Sequence, residues 1–145
     1  MAEMVKKATR ESFGEALVEL GKDHPEVMVL VADLADATKV EWFQKAYPQR
    51  FIECGIAESN MIGVAAGLAS CGKIPFATSF AMFSAGRAFE QVRNSVGYPN
   101  LNVKIVGSHM SGSPLRRSMT ERTMFMTKRP SKRSAGYGRR KFGKM

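Results

Sequence analysis

One carboxylate stands alone in the run Gly55-Ile56-Ala57-Glu58-Ser59-Asn60-Met61, between a strand-like segment and a helix of small residues. Such a Glu can tune a bound cofactor. It also has a structural reading, because an acid in a first helical turn is favoured by the macrodipole and by unpaired backbone N–H groups. Phe76, Phe80, Phe83 and Phe89 surround Thr78 and Ser79 and can be core, or they can stack on a planar heterocycle. Phe80 and Phe83, at i and i+3, are best placed for stacking. Arg10 opens a helix, where it is either a surface cation or a forked donor to an anionic ligand. Asp33 either begins a turn or faces a ligand. His109 is either a solvated loop residue or a group for proton transfer or a substrate hydrogen bond. GxGxxG, P-loop, CxxC and HExxH patterns are missing. Cys54 and Cys71 lie in apolar text with no metal or redox spacing and read as buried thiols.

The elements that must position these side chains follow from periodicity. Phe13, Ala16, Leu17 and Leu20 recur at helical spacing, with Thr9 as an available cap and Gly21 near the stop, which predicts a helix over 10–22. Val27 to Ala32 is apolar without alternation, as in a strand covered on both faces of a parallel sheet. The rhythm continues with a helix at 39–46, a strand at 50–54, a helix at 59–70, a strand at 74–78, a helix at 83–96 and a strand at 102–106. This alternation predicts an α/β fold, doubly wound, with a mainly parallel sheet and flanking helices. Ligands bind beyond the carboxyl ends of strands in such sheets. Asp33, Glu58, Ser79 with Phe80, and Gly107-Ser108-His109 occupy those places. The helix from 59 is nearly uncharged and should be buried on nearly all sides, so Glu58 needs a partner there. Gly63 and Gly67, four apart, would admit a second helix.

A chain of 145 residues with 44% hydrophobic and 24% charged residues suits one domain. No apolar run is long enough to span a bilayer and no secretory pattern opens the chain, so no membrane is expected and the cytoplasm is the default. The net charge of +9 points to nucleic acid until it is divided along the chain. Residues 1–110 carry 11 Lys/Arg against 12 Asp/Glu, whereas 111–145 carry 11 against 1. Apolar periodicity also stops after His109, which places a boundary near Ser111: a folded domain over 1–110 and a basic, low-complexity tail over 111–145. Nucleic acid is a partner only through that tail.

Residues 8–109 resemble the pyrimidine-binding domain of transketolase, particularly the separately encoded C-terminal part found in some bacteria. The resemblance rests on Ala8-Thr9-Arg10, Gly55 to Met61, Phe76-Ala77-Thr78-Ser79-Phe80-Ala81-Met82-Phe83, Arg87-Ala88-Phe89-Glu90-Gln91-Val92-Arg93, and Asn102 to His109. Deoxyxylulose-phosphate synthases and 2-oxo-acid dehydrogenase β subunits share the fold and the Glu, but the last two runs are more like transketolase. The resemblance implies that Glu58 hydrogen-bonds N1′ of the thiamine diphosphate aminopyrimidine and so helps remove the thiazolium C2 proton. An apolar setting among Met61, Phe80 and Phe83 would favour the protonated carboxyl that this needs. It further implies that Phe80 and Phe83 flank the pyrimidine, that Asp33 lies at the cofactor site, that Arg10 binds sugar phosphate and that His109 contacts substrate.

Such sites lie between two domains, and a divalent metal, Mg2+, is held by the other one. No Gly-Asp-Gly with a downstream Asn occurs here. The resemblance therefore implies an N-terminal, diphosphate-binding partner subunit in an oligomer, an isolated chain without activity, and a fold truncated after the fourth strand. Two departures stand out. Ala37 replaces a Ser that helps hold substrate phosphate, and Ser111-Gly112-Ser113-Pro114-Leu115-Arg116-Arg117 replaces an acidic substrate-binding continuation. Codons for Ile-Ser-Val followed by Gly or Ala, read one base out of register, can give Ser-Pro-Leu, so a frameshift accounts for the break. The rival is a genuine basic tail for RNA or anionic surfaces.

Overall fold

In the computed structural model, which describes residues 7–108, Val27–Val31 form the first strand, β1, with every side chain buried except that of Met28. Alternate residues leave a strand on opposite faces. Val27, Val29 and Val31 accordingly join Leu17, Val40 and Phe43 in one core cluster, whereas Leu30 joins Met61, Ile62, Ala65, Ala77, Val103 and Ile105 in another. Two cores on one strand explain why Val27 to Ala32 lacks polar alternation. Full burial of each such side chain contributes about 1.5–3 kcal/mol.

The other strands are β2 (Phe51–Glu53), β3 (Ile74–Phe80) and β4 (Lys104–Ser108). All pair in parallel in the order β2-β1-β3-β4, with Val31 opposite both Glu53 and Thr78, and Ser79 opposite Gly107. The chain passes from β1 outward to β2, then returns across β1 to β3. That reversal leaves a crevice beyond the carboxyl ends of β1 and β3, where Asp33 and Ser79-Phe80 stand. The expected doubly wound α/β architecture is thus present, with four parallel strands and flanking helices.

Helices α1 (Thr9–Asp23) and α2 (Glu41–Ala46) cover one face. Their close approach requires glycine: a Cβ at Gly14 would lie 2.6 Å from the Lys39 carbonyl oxygen, and one at Gly21 would lie 2.5 Å from the Tyr47 ring. Gly21 is therefore a packing residue inside α1, not its stop, and the chain leaves the helix at His24. Thr9 is the first helical residue rather than the cap, a position taken by Ala8 without a side-chain bond.

Helix α3 (Glu58–Ser70) and the segment 83–97 cover the other face. The burial expected on nearly all sides of α3 is found on one side only. Glu58, Met61, Ile62, Ala65 and Ala66 are buried, whereas Asn60, Gly63, Gly67 and Ser70 are exposed, with open space beside both glycines. Segment 83–97 is not the single helix that its spacing predicts. It consists of a π turn at Phe83–Arg87, a short α4 (Phe89–Gln91) and a second π turn at Val92–Gly97. No helix among the described residues is long and apolar enough to cross a membrane. The boundary near Ser111 and the tail lie outside the described residues.

Candidate functional site

Glu58 is the first residue of α3 and its side chain is only 2% exposed. Burying a carboxylate costs several kcal/mol unless a partner is supplied, and here the partner is Arg87, whose Nη1 donates to Oε2 over 3.0 Å. The π turn brings Arg87 there. Its wide loop closes with the Ala88 N–H on the Phe83 carbonyl at 3.3 Å, and Ser59 Oγ donates to the Arg87 carbonyl at 3.1 Å. Helix interruptions of this type recur at functional sites because they re-aim side chains. The setting of Glu58 is therefore not the wholly apolar one expected from Met61, Phe80 and Phe83, since a guanidinium faces the carboxylate.

The Arg87 guanidinium also lies 5.1 Å from the centre of the Phe83 ring, a cation–π distance. Phe83 in turn stacks on Phe80, with centroids 6.2 Å apart and planes 20° apart. Glu58, Arg87, Phe83 and Phe80 thus form one connected chain of contacts at the end of β3. Phe76 packs instead toward the α1/α2 core, and Phe89 is largely exposed, so the four-ring cluster suggested by the sequence reduces to one pair.

Three hydroxyls in this region are buried and unpaired among the described residues: Thr78 Oγ1, Ser79 Oγ and Ser84 Oγ. Most buried hydroxyls in native proteins have a partner, so a cluster at one strand end marks a place where a ligand or ordered water belongs. At the neighbouring end of β4, a Cβ on Gly107 would lie 2.8 Å from the Ala81 Cα. Glycine lets the two strand ends close on each other.

Asp33 lies two residues beyond β1 in the left-handed region, with φ 54°, and is exposed. Its N–H donates to Glu53 Oε1 at 2.8 Å, and the same oxygen accepts the Gly55 N–H at 2.9 Å. Glu53 therefore clamps two left-handed turns, Asp33 and Gly55 (φ 65°), and fixes the loop that leads into Glu58. Cys54 beside it is partly buried, and burial followed by the Glu53 charge pushes its thiol up. Cys71, expected to be buried, is exposed.

Arg10 is exposed in the first turn of α1, and its charge reaches Asp36 in the loop after β1. The main partner there is Lys39, whose ammonium at 2.7 Å holds the Asp36 carboxyl below the usual carboxylate range. Thr38 is buried and donates to the Leu34 carbonyl at 2.7 Å, so its hydroxyl closes a turn. The structure thus links Glu58 through Arg87 to Phe83 and Phe80, places Asp33 just beyond the carboxyl end of β1, and leaves Arg10 where its charge acts on Asp36. His109 lies outside the described residues.

Arg87, Glu53 and Ser84 had no role assigned from the sequence. One signal was available for Arg87. It is the only charged residue between Lys73 and Glu90, as Glu58 is between Glu53 and Lys73, and two isolated opposite charges in apolar text are natural partners. Among the described residues, no group of three or more His, Cys, Asp or Glu side chains is placed to hold a metal ion.

A parallel α/β domain with a buried acid and a stacked aromatic pair beyond its strand ends belongs to the class of doubly wound ligand-binding domains. The family described as transketolase, pyrimidine binding domain, matches residues 5–127, and the chain belongs to it. A provisionally assigned transketolase C-terminal section of Methanocaldococcus jannaschii is 55% identical over 105 residues, covering 72% of this chain and 33% of the relative. A 6-deoxy-6-sulfo-D-fructose transketolase subunit of Clostridium is 48% identical over 99 residues, covering 68% and 31%. A solved split-gene transketolase, described as an inactive beta4 tetramer, superposes with a TM-score of 0.66 at 60% identity, covering 72% of this chain and 34% of that one. The chain spans about a third of the length of these relatives.

Proposed function

We propose that this chain is the pyrimidine-binding component of a split transketolase, which moves a two-carbon ketol unit between sugar phosphates and acts only with a diphosphate-binding partner subunit. The observation that carries the reading is the buried Glu58 at the start of α3, linked through Arg87 to the stacked Phe80 and Phe83 at the strand-carboxyl edge. The residues fit the pyrimidine half of thiamine diphosphate: a buried acid for a ring nitrogen, flat aromatic faces, and the buried Ser79 and Ser84 hydroxyls, which have no partner among the described residues. Among the described residues no group of three or more His, Cys, Asp or Glu side chains is placed to hold Mg2+, and the diphosphate and the metal are assigned to the partner.

When bound, thiamine diphosphate supplies an acidic thiazolium carbon and the electron sink for the ketol transfer. Glu58 holds and donates the proton at the ring nitrogen, while Phe80 and Phe83 hold the ring by stacking. Asp33 lines the cofactor side of the β1/β3 crevice. Arg10 contributes charge for the substrate phosphate, beside Ala37, where a family Ser would add a hydroxyl. His109 contacts the sugar. The assembly is an oligomer, and the location is the cytoplasm.

The test mixes this chain with a diphosphate-binding transketolase subunit, Mg2+ and thiamine diphosphate and measures ketol transfer between sugar phosphates. Glu58→Gln should lower kcat by roughly 10²-fold or more, as for loss of a proton-transferring group. Activity that survives the substitution sinks the proposed role.

The basic tail supports a second reading, a non-catalytic remnant or a basic-tailed binding module, because residues 111–145 carry 11 Lys/Arg against 1 Asp/Glu. Sequencing the gene through codon 112 separates the two. An out-of-frame acidic continuation supports the remnant, whereas a neighbouring gene for a diphosphate-binding subunit supports the split enzyme.

A further inference from the structure

The Glu58–Arg87 pair is lopsided. The Glu58 side chain is 2% exposed and that of Arg87 is 52% exposed, so the acid depends on the base for its burial while the base can reach water unaided. The guanidinium is held at two points, with Nη1 on Glu58 and its central carbon 5.1 Å from the centre of the Phe83 ring, while the Arg87 backbone is held by its carbonyl, which accepts Ser59 Oγ from the next residue of α3. A long side chain restrained at that many points loses rotamer entropy worth up to about 2 kcal/mol, which a surface ion pair does not repay. A geometry held at such cost is aimed at the carboxylate.

We infer that Arg87 is a positioning residue for Glu58: it fixes the carboxyl group through Oε2 and stabilises the negative charge left there once Glu58 has given its proton to a pyrimidine nitrogen. The inference rests on the pyrimidine-site reading above. As the ring binds, Glu58 takes up one proton from water; in the transfer, the O–H bond of its carboxyl breaks and an N–H bond forms on the ring. One negative charge remains on the carboxylate and one positive charge appears on the ring. A guanidinium 3.0 Å from the carboxylate stabilises the negative charge that the transfer leaves on it. Stacking on Phe80 and Phe83 rests mainly on ring contact area and depends on this charge only in smaller part, so removing Arg87 should change where the proton sits more than whether the ring binds.

The experiment follows the 15N resonance of N1′-labelled thiamine diphosphate bound to the full chain with a diphosphate-binding transketolase subunit and Mg2+, with the dissociation constant measured in parallel. Wild type should place the resonance at the protonated position. Arg87→Gln should move it most of the way to the unprotonated position with no more than about a threefold change in affinity, and Arg87→Lys, which keeps the charge and loses the fork, should recover most of the shift. A resonance that stays protonated in Arg87→Gln, while Glu58→Gln moves it, overturns the role of Arg87 alone. A resonance that neither substitution moves, or an absence of binding by wild type, overturns the pyrimidine-site reading itself. Circular dichroism of Arg87→Gln checks its fold, and a shift that Arg87→Lys fails to recover overturns the charge-stabilising role.

Discussion

Arg50 and Arg87 each lie over an aromatic ring, and they are used in opposite ways. The Arg50 guanidinium sits 4.0 Å from the centre of the Tyr47 ring and donates to the carbonyls of Gly21 at 2.8 Å and His24 at 3.0 Å. It closes the carboxyl end of α1, where helix carbonyls lack partners, and so completes a structure. Arg87 donates to a buried carboxylate at the opening of another helix, beside hydroxyls that have no partner among the described residues. One region is satisfied and the other is left open. Natural proteins place such unfinished polar groups where a ligand completes them, at a cost in stability.

The comparison can be broken at several points. The largest effect is expected from Gly21→Val, since even the first added carbon would lie 2.5 Å from the Tyr47 ring. Overpacking should cost about 3 kcal/mol in urea unfolding, at the upper end of such substitutions. Arg50→Ala comes next, with about 2 kcal/mol lost along with two charge-assisted hydrogen bonds and the ring contact. Glu58→Gln, by contrast, should stay within about 1 kcal/mol of wild type, because it removes a buried charge while keeping an acceptor for Arg87. Equal losses for Arg50→Ala and Glu58→Gln would make both sites structural.

A finer contrast uses two buried hydroxyls. Thr38→Val removes the bond to the Leu34 carbonyl and should cost about 1 kcal/mol, whereas Ser84→Ala removes an unpaired group and should be neutral or stabilising by up to about 1 kcal/mol. A loss in Ser84→Ala as large as that in Thr38→Val would mean that this hydroxyl is already satisfied in the free chain. The smallest effect is chemical. Near neutral pH, iodoacetamide should modify exposed Cys71 well before Cys54, whose partly buried thiol is pushed up and so yields less thiolate. Peptide mass spectrometry reads the order directly, and faster labelling of Cys54 would contradict the packing of the β2 end.

Much of the fold was legible because burial on a sheet is written into local pattern. The unbroken apolar run at Val27 to Ala32 announced a doubly covered strand, and helix spacing around Leu17 announced α1. Other features were not local. Cys71 and the outer side of α3 carry the same small or apolar residue types as the core, and only the placement of neighbouring elements shows which of them remain uncovered. The breaks in 83–97 were hidden because a π turn inserts a residue without changing helix-compatible composition.

The sequence by itself determined the β/α alternation, the strand ends at which chemistry is possible, and Glu58, Phe80 and Phe83 as the side chains to watch, because each follows from residue type and short-range spacing. Tertiary structure alone decided what Glu58 faces. Its partner lies 29 residues away on a π turn packed against α3, and only the folded chain shows that the hydroxyls of Ser79 and Ser84 are buried without a partner among the described residues. Pairing and burial of charges depend on distances between elements, and no periodicity within an element records those distances.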